Sequence, residues 1–187
     1  MKLLSWRGTV RFAATVAILS FIIGGIFDTS TIFLNNMSWY LGALIVLFIV
    51  IVGAFFDMLG LAAAAAREAP IHAMASKKVF GAKRAIIIVR NAEKVSSIFS
   101  DVIGDIAGVL SGAGALAVAF QLSTAISLHG WHEELAKIVL TALITAITVF
   151  AKAVGKTVAI QSPTPIVLFA GKVLETFVIL FQKKART

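Results

Sequence analysis

Residues 39–66 read WYLGALIVLFIVIVGAFFDMLGLAAAAA, an apolar run interrupted by one charge, Asp57. As a helix it would be about 42 Å long at about 1.5 Å per residue. A bilayer core needs only about 30 Å, so the segment must tilt, kink or emerge into the headgroups. The rest of the chain has the same character. Of 187 residues 59% are hydrophobic and only 14% are charged, against about 45–50% and about 25% in soluble domains. Cysteine is absent, which excludes a disulfide scaffold, and the apolar excess excludes a disordered chain. The runs are too long for the half-buried elements of a water-soluble enzyme. The class that fits is an all-α integral membrane protein with several spans.

Toward the amino terminus lies a second uncharged run, 12–27, preceded by Lys2, Arg7 and Arg11. A signal peptide has this layout, but Gly24-Gly25-Ile26-Phe27-Asp28 lacks the small-x-small cleavage pattern. A retained signal-anchor helix and outer loop are expected over 1–38, ahead of a transmembrane domain over 39–187. Toward the carboxyl terminus, residues 67–94 hold Arg67, Lys77, Lys78, Lys83, Arg84, Arg90 and Lys94 against Glu68 and Glu93. Isoleucines and valines run between them, so amphipathic helices on the membrane surface are predicted over about 67–99. Further spans are predicted over about 101–122 and 135–158. An interfacial helix over about 166–182 follows Ser162-Pro163-Thr164-Pro165.

The net charge of +8 is mostly topological. The amino-terminal tip, the 67–94 segment and the tail Lys183-Lys184-Ala185-Arg186 carry three, seven and three basic residues, thirteen of the 17. The loops 28–38 and 123–134 carry none. The positive-inside rule puts both termini and the surface helices on the cytoplasmic side, with four spans in a multi-pass protein of the cell membrane. The surface segment suits anionic lipid headgroups and not nucleic acid. Trp39, Tyr40 and Trp131 fall at predicted boundaries as aromatic anchors.

The informative charges are those left inside the spans, which are costly there and mark candidate functional sites. They are Asp57, Asp101, Asp105, Lys152 and Lys156. At about 100° per residue, Asp105 lies about 40° from Asp101, and Gly104, Gly108 and Gly112 share that face. Such a glycine stripe admits a neighbouring backbone closely, and Gly53 and Gly60 flank Asp57 similarly. Thr141, Thr145, Thr148, Lys152 and Lys156 form one polar stripe on the fourth span. Two readings stay open. The acids bind a hard cation through oxygen ligands, or the lysines neutralise them in a static ion-pair network.

The same residues carry a resemblance. Gly53-Ala54-Phe55-Phe56-Asp57, Gly81-Ala82-Lys83-Arg84-Ala85, Asn91-Ala92-Glu93-Lys94-Val95-Ser96-Ser97-Ile98, Asp101-Val102-Ile103-Gly104-Asp105-Ile106-Ala107 and Phe150-Ala151-Lys152-Ala153-Val154-Gly155-Lys156-Thr157 are similar to segments of the transmembrane domain shared by the cyclin M (CNNM) and CorB/CorC magnesium transporters. The likeness covers about residues 45–182. It implies a homodimer of three-span units with cytoplasmic surface helices, and movement of magnesium or another divalent cation, with sodium as the candidate coupling ion. The helix at 12–27 would be an addition. The implied site falls on positions 57, 101, 105 and 152; on the residues present here, Asp57, Asp101 and Asp105 are the expected ligands, with Thr148 and the backbone near 151–155 completing the shell and Lys152 and Lys156 as gate or counter-charge.

The sequence also departs from the family pattern. Asp57 stands for a serine, Asp101 and Asp105 for asparagines, Lys152 for a glutamate and Gly155 for a proline. A three-carboxylate site could hold a divalent ion more tightly or prefer another ion. Lys152 could equally occupy the cation's place. The cytosolic nucleotide-binding (CBS) and carboxyl-terminal domains of longer family members are not expected after Thr187, so no nucleotide partner is expected.

Smaller signals have plainer readings. Gly155-Lys156-Thr157 imitates the end of a phosphate-binding loop, but Phe150 replaces the glycine that loop requires. His129 and His132 could bind a metal at the outer mouth or simply be solvated. Glu68 and His72 are candidates for the ion's path at the inner surface, or for helix capping around Pro70. No serine–histidine–acid or cysteine-based arrangement suggests an enzyme. The competing class is a non-transporting membrane scaffold or partner-binding protein. The short loops and lack of cysteine suit a bacterial cell membrane.

Overall fold

A computed structural model of the chain describes residues 6–34, 37–126 and 130–184. Lys2, His129 and Arg186 lie outside them. The elements are α1 (Trp6–Leu34), α2 (Trp39–Ala65), α3 (Glu68–Ser76), α4 (Ala82–Arg90), α5 (Ala92–Ser96), a π-helical segment (Ser97–Gly104), α6 (Asp105–Ala125), α7 (Trp131–Gln161) and α8 (Pro163–Lys184). No strand occurs among the described residues.

Five stretches are long and apolar enough to cross a membrane: Gly8–Ile26, Trp39–Ala65, Ala92–Ala125, Trp131–Gln161 and Pro163–Leu180. Valine and isoleucine dominate the middle of α2 and would favour strand in water. In lipid the backbone has no solvent partner, and a helix satisfies every N–H and C=O within one segment. Phe21, Val109, Phe120, Phe150 and Leu180 point outward. Apolar surface on this scale would drive association in water, whereas hydrocarbon solvates it. All this is consistent with a multi-pass membrane protein.

The chain divides into two compact units. The first comprises the described residues of Met1–Ala54 and Asp101–Lys152. Here α1 packs along α6, and small residues let α2 approach α6. A Cβ added to Gly53 would lie 2.6 Å from that of Ala107, and one on Gly42 would lie 3.0 Å from Val118 Cγ2. The buried side of α6 carries Leu110, Ser111, Gly114, Ala115, Val118, Ala119 and Ser123, spaced as one helical face. Its two serines are self-satisfied, donating to the carbonyls of Gly108 and Phe120 at 2.8 Å.

The second unit comprises Phe55–Ser100 and the described residues of Ala153–Thr187. Beyond Ala65 the chain turns at Arg67, which is extended at φ −95° and ψ 139°. Glu68 then opens α3, its charge favourable at the positive helix end. Pro70 sits in the first turn, where a missing N–H costs nothing. Two bonds close α3: Lys78 N–H to the Ala75 carbonyl and Val79 N–H to the Met74 carbonyl, both 3.0 Å. This pairing requires a left-handed residue between them, and Lys78 supplies it at φ +56°.

Gly81, at φ +81°, starts α4, and α8 packs onto α4 at that point. A Cβ on Gly81 would lie 2.5 Å from Lys172 N, and one on Gly171 would lie 2.5 Å from Gly81 O. Around this contact Ala62, Ala63, Ile71, Ala85, Ile88, Ala159 and Val167 are buried together. Arg84 Nε donates to Glu175 Oε2 at 2.7 Å on the flank.

Candidate functional site

Asp57 lies in the part of α2 that belongs to the second unit, and it is 2% exposed. The Ser100 hydroxyl donates a hydrogen bond to its Oδ1. Gly60, nearly one turn further along α2, makes that bond possible. A Cβ there would lie 2.9 Å from Ser100 N and 3.2 Å from Ser96 O. Ser100 sits on the π-helical segment, whose wider turns are frequent at functional sites.

The other carboxylate oxygen of Asp57, Oδ2, is buried and accepts no hydrogen bond. Lys156 Nζ stands 3.5 Å from it. That distance is within ion-pair range but too long for a well-formed hydrogen bond. Lys156 itself is half exposed, at 52% of its side chain. The site thus joins a buried anion, one hydroxyl donor and one half-exposed cation.

The first unit holds a further aspartate–lysine pair. Lys152 Nζ is 3.6 Å from Asp105 Oδ1, with the ammonium more enclosed (21% exposed) than the carboxylate (74%). The ammonium lies over Gly108, where an added Cβ would make only an ordinary 3.5 Å contact with Lys152 Nζ. Gly104 is buried, Asp101 is exposed, and a Cβ on Gly112 would meet nothing within 4 Å. The hydroxyl of Thr148 donates to the Ile144 carbonyl at 2.8 Å. Thr141 and Thr145 do the same to Lys137 and Thr141. Their donors are used inside α7, while the oxygens keep lone pairs that can accept or ligate.

The structure therefore brings Asp57 to Lys156 and Asp105 to Lys152. Among the described residues no three His, Cys, Asp or Glu side chains gather in a way that could hold a metal ion. Any ion at Asp57 would draw its remaining ligands from hydroxyls, backbone carbonyls or water. Gly155-Lys156-Thr157 lies inside α7, so no phosphate-cradling loop forms there.

Glu68 and His72 form a cluster in the second unit. Glu68 Oε2 takes His72 Nε2 at 3.1 Å and Arg90 Nε at 3.2 Å. Those partners, His72 first and Arg90 second, hold the Glu68 carboxyl below its ordinary value. Two residues that the sequence did not single out also take part in polar contacts. Ser100 was signalled only by the serines at 96, 97 and 100 in a stretch near a buried acid. Lys137 bridges Glu133 at 2.7 Å and Glu134 at 3.1 Å and lies 5.2 Å from the Phe120 ring centre.

Compared with known proteins, the chain matches no protein-family model, no curated protein and no solved structure.

Proposed function

We propose that this protein moves a hard divalent cation, magnesium in the first instance, across a membrane, with Asp57 as the principal ligand. The observation that carries the proposal is the half-satisfied, buried carboxylate of Asp57. Magnitudes favour function over static pairing. At 3.5 Å and an effective dielectric of about 20, the attraction to Lys156 is on the order of 5 kcal/mol before screening. Half exposure of Lys156 reduces it, and desolvating the carboxylate costs several kcal/mol. The pair roughly breaks even, so apolar packing would serve stability equally well. Magnesium commonly keeps several waters and takes one or two carboxylates, which suits Asp57 with the Ser100 hydroxyl. Asp101, Asp105 and Thr148, with Lys152 beside Asp105, are proposed as further polar groups for the ion within the first unit, and a homodimer and a sodium-coupled cycle belong to the same proposal.

The proposed orientation keeps both termini cytoplasmic, with α8 along the inner face. Both ends of the chain are basic, and an even number of crossings keeps them together. Packing of α8 on the basic helix α4, with Glu175 on Arg84, supports an interfacial position. Exposed Lys77, Lys78, Lys83 and Arg90 would meet anionic headgroups.

The rival is a non-transporting scaffold, favoured by the second pair, Asp105 with Lys152. Thermal unfolding of the detergent-solubilised protein against magnesium, manganese, calcium and sodium separates the two. A cation that binds only the folded state raises its stability by mass action. The proposal requires a rise with magnesium that Asp57→Asn abolishes, and a flat response to all four ions favours the scaffold.

A further inference from the structure

We infer that Lys156 is a tethered competitor for the cation site: its ammonium stands at the free oxygen of Asp57, and an incoming divalent ion must displace it. This rests on the cation-binding reading of Asp57. Three features of the geometry point to it. Asp57 Oδ2 is buried and lacks a hydrogen bond, so that oxygen still has a coordination position to give. Lys156 Nζ is held at 3.5 Å and not in hydrogen-bond contact. Its side chain is half exposed, and a flexible four-carbon stem lets the ammonium swing away and regain solvation.

Opposite charge without a fixed hydrogen bond is the arrangement a displaceable counter-ion needs. While Lys156 is in place, the carboxylate is neutralised and the unloaded site survives burial. When a divalent ion arrives, it brings twice the charge to the same oxygen, and Lys156 withdraws. Ser100 differs, because it donates directly to Oδ1 and can stay in place in both states. The competitor role falls on Lys156 because it is the lysine paired with Asp57, whereas Lys152 pairs with Asp105.

The test is thermal unfolding of the full chain in detergent across a magnesium chloride titration, for the unaltered protein, Lys156→Gln, Lys156→Arg and Asp57→Asn. Without magnesium, Lys156→Gln should be the less stable form, because a buried carboxylate loses its counter-charge. With magnesium it should recover, responding at about tenfold lower concentration than the unaltered protein. Lys156→Arg should behave as the unaltered protein, and Asp57→Asn should not respond. An Asp57-dependent response that is equal or weaker in Lys156→Gln overturns the competitor role and leaves the cation reading standing. A response confined to Lys156→Gln upholds Lys156 as the occupant and retires the transport reading. No response in any form overturns both.

Discussion

Ser100 approaches Gly60 so closely that a Cβ on the glycine would lie 2.9 Å from the Ser100 backbone nitrogen. That contact places the Ser100 hydroxyl on Asp57. The obstacle a side chain would meet is backbone, which cannot rotate away. Gly60→Ala should therefore destabilise the protein by about 1–3 kcal/mol, the usual cost of overpacking. Ser100→Ala, which removes a donor from a buried carboxylate, should cost about 1.5–3 kcal/mol. Chemical or thermal unfolding in detergent checks both. Because they act on the same contact, the double variant should lose less than the sum.

Lys78 and Gly81 make opposite predictions within four residues. Lys78 adopts φ +56°, a left-handed conformation that costs a side-chain-bearing residue about 1–2 kcal/mol. Lys78→Gly should raise stability by up to about 1 kcal/mol once the entropy of a glycine in the unfolded chain is set against it. Gly81, at φ +81° with Lys172 backbone 2.5 Å from an added Cβ, has no such latitude. Gly81→Ala should cost about 2 kcal/mol or more, from strain and clash together. Paired melting curves would show the two variants moving to opposite sides of the unaltered protein.

The docking of α8 should depend on close packing more than on charge. Arg84 and Glu175 are bonded at 2.7 Å but are about one-third exposed, so a double-mutant cycle should give a coupling of about 0.5–1 kcal/mol. Gly171→Val forces a side chain into the Gly81 carbonyl and should cost more than removing either charge. A coupling of several kcal/mol across Arg84 and Glu175 would contradict this order.

Acid should weaken the Glu68–His72–Arg90 cluster through Glu68. Its folded value is lowered from 4.5, so the folded state binds this proton less readily than the unfolded state. The stabilisation is therefore complete above about 4.5 and is lost as pH falls through the lowered folded value. Subtracting the melting profile of Glu68→Gln from that of the unaltered protein isolates this contribution. The difference should be flat near neutral pH and shrink only below about 4.5.

Hydropathy alone located all five long apolar helices, because a segment such as 39–66 has no alternative in lipid to satisfying its own backbone. The boundaries differ, by three residues where α8 begins at Pro163 and not near 166, and by six and seven at the ends of α1, which runs Trp6–Leu34 and not 12–27. Interleaved charges and isoleucines set 67–94 apart from the long apolar runs as helical, and the structure resolves it into α3, α4 and most of α5. The partners of the buried charges were harder to read. A uniform 100° step puts Asp101, Gly104 and Asp105 on one face, but the π-helical turn across Ser97–Gly104 changes the step there. Ser100 is directed to Asp57 by that turn and by the missing side chain at Gly60, and neither can be inferred from α-helical spacing. Likewise, the spacing of Lys152 and Lys156 shows a polar stripe but not which lysine meets which aspartate.

Magnesium flux into vesicles reconstituted with the unaltered protein and with Asp57→Asn tests the role of Asp57 most directly. The proposal predicts a magnesium flux above that of protein-free vesicles, reduced at least about tenfold by the substitution, which corresponds to about 1.4 kcal/mol or more. Equal flux through both forms, or none through the unaltered protein, would contradict it.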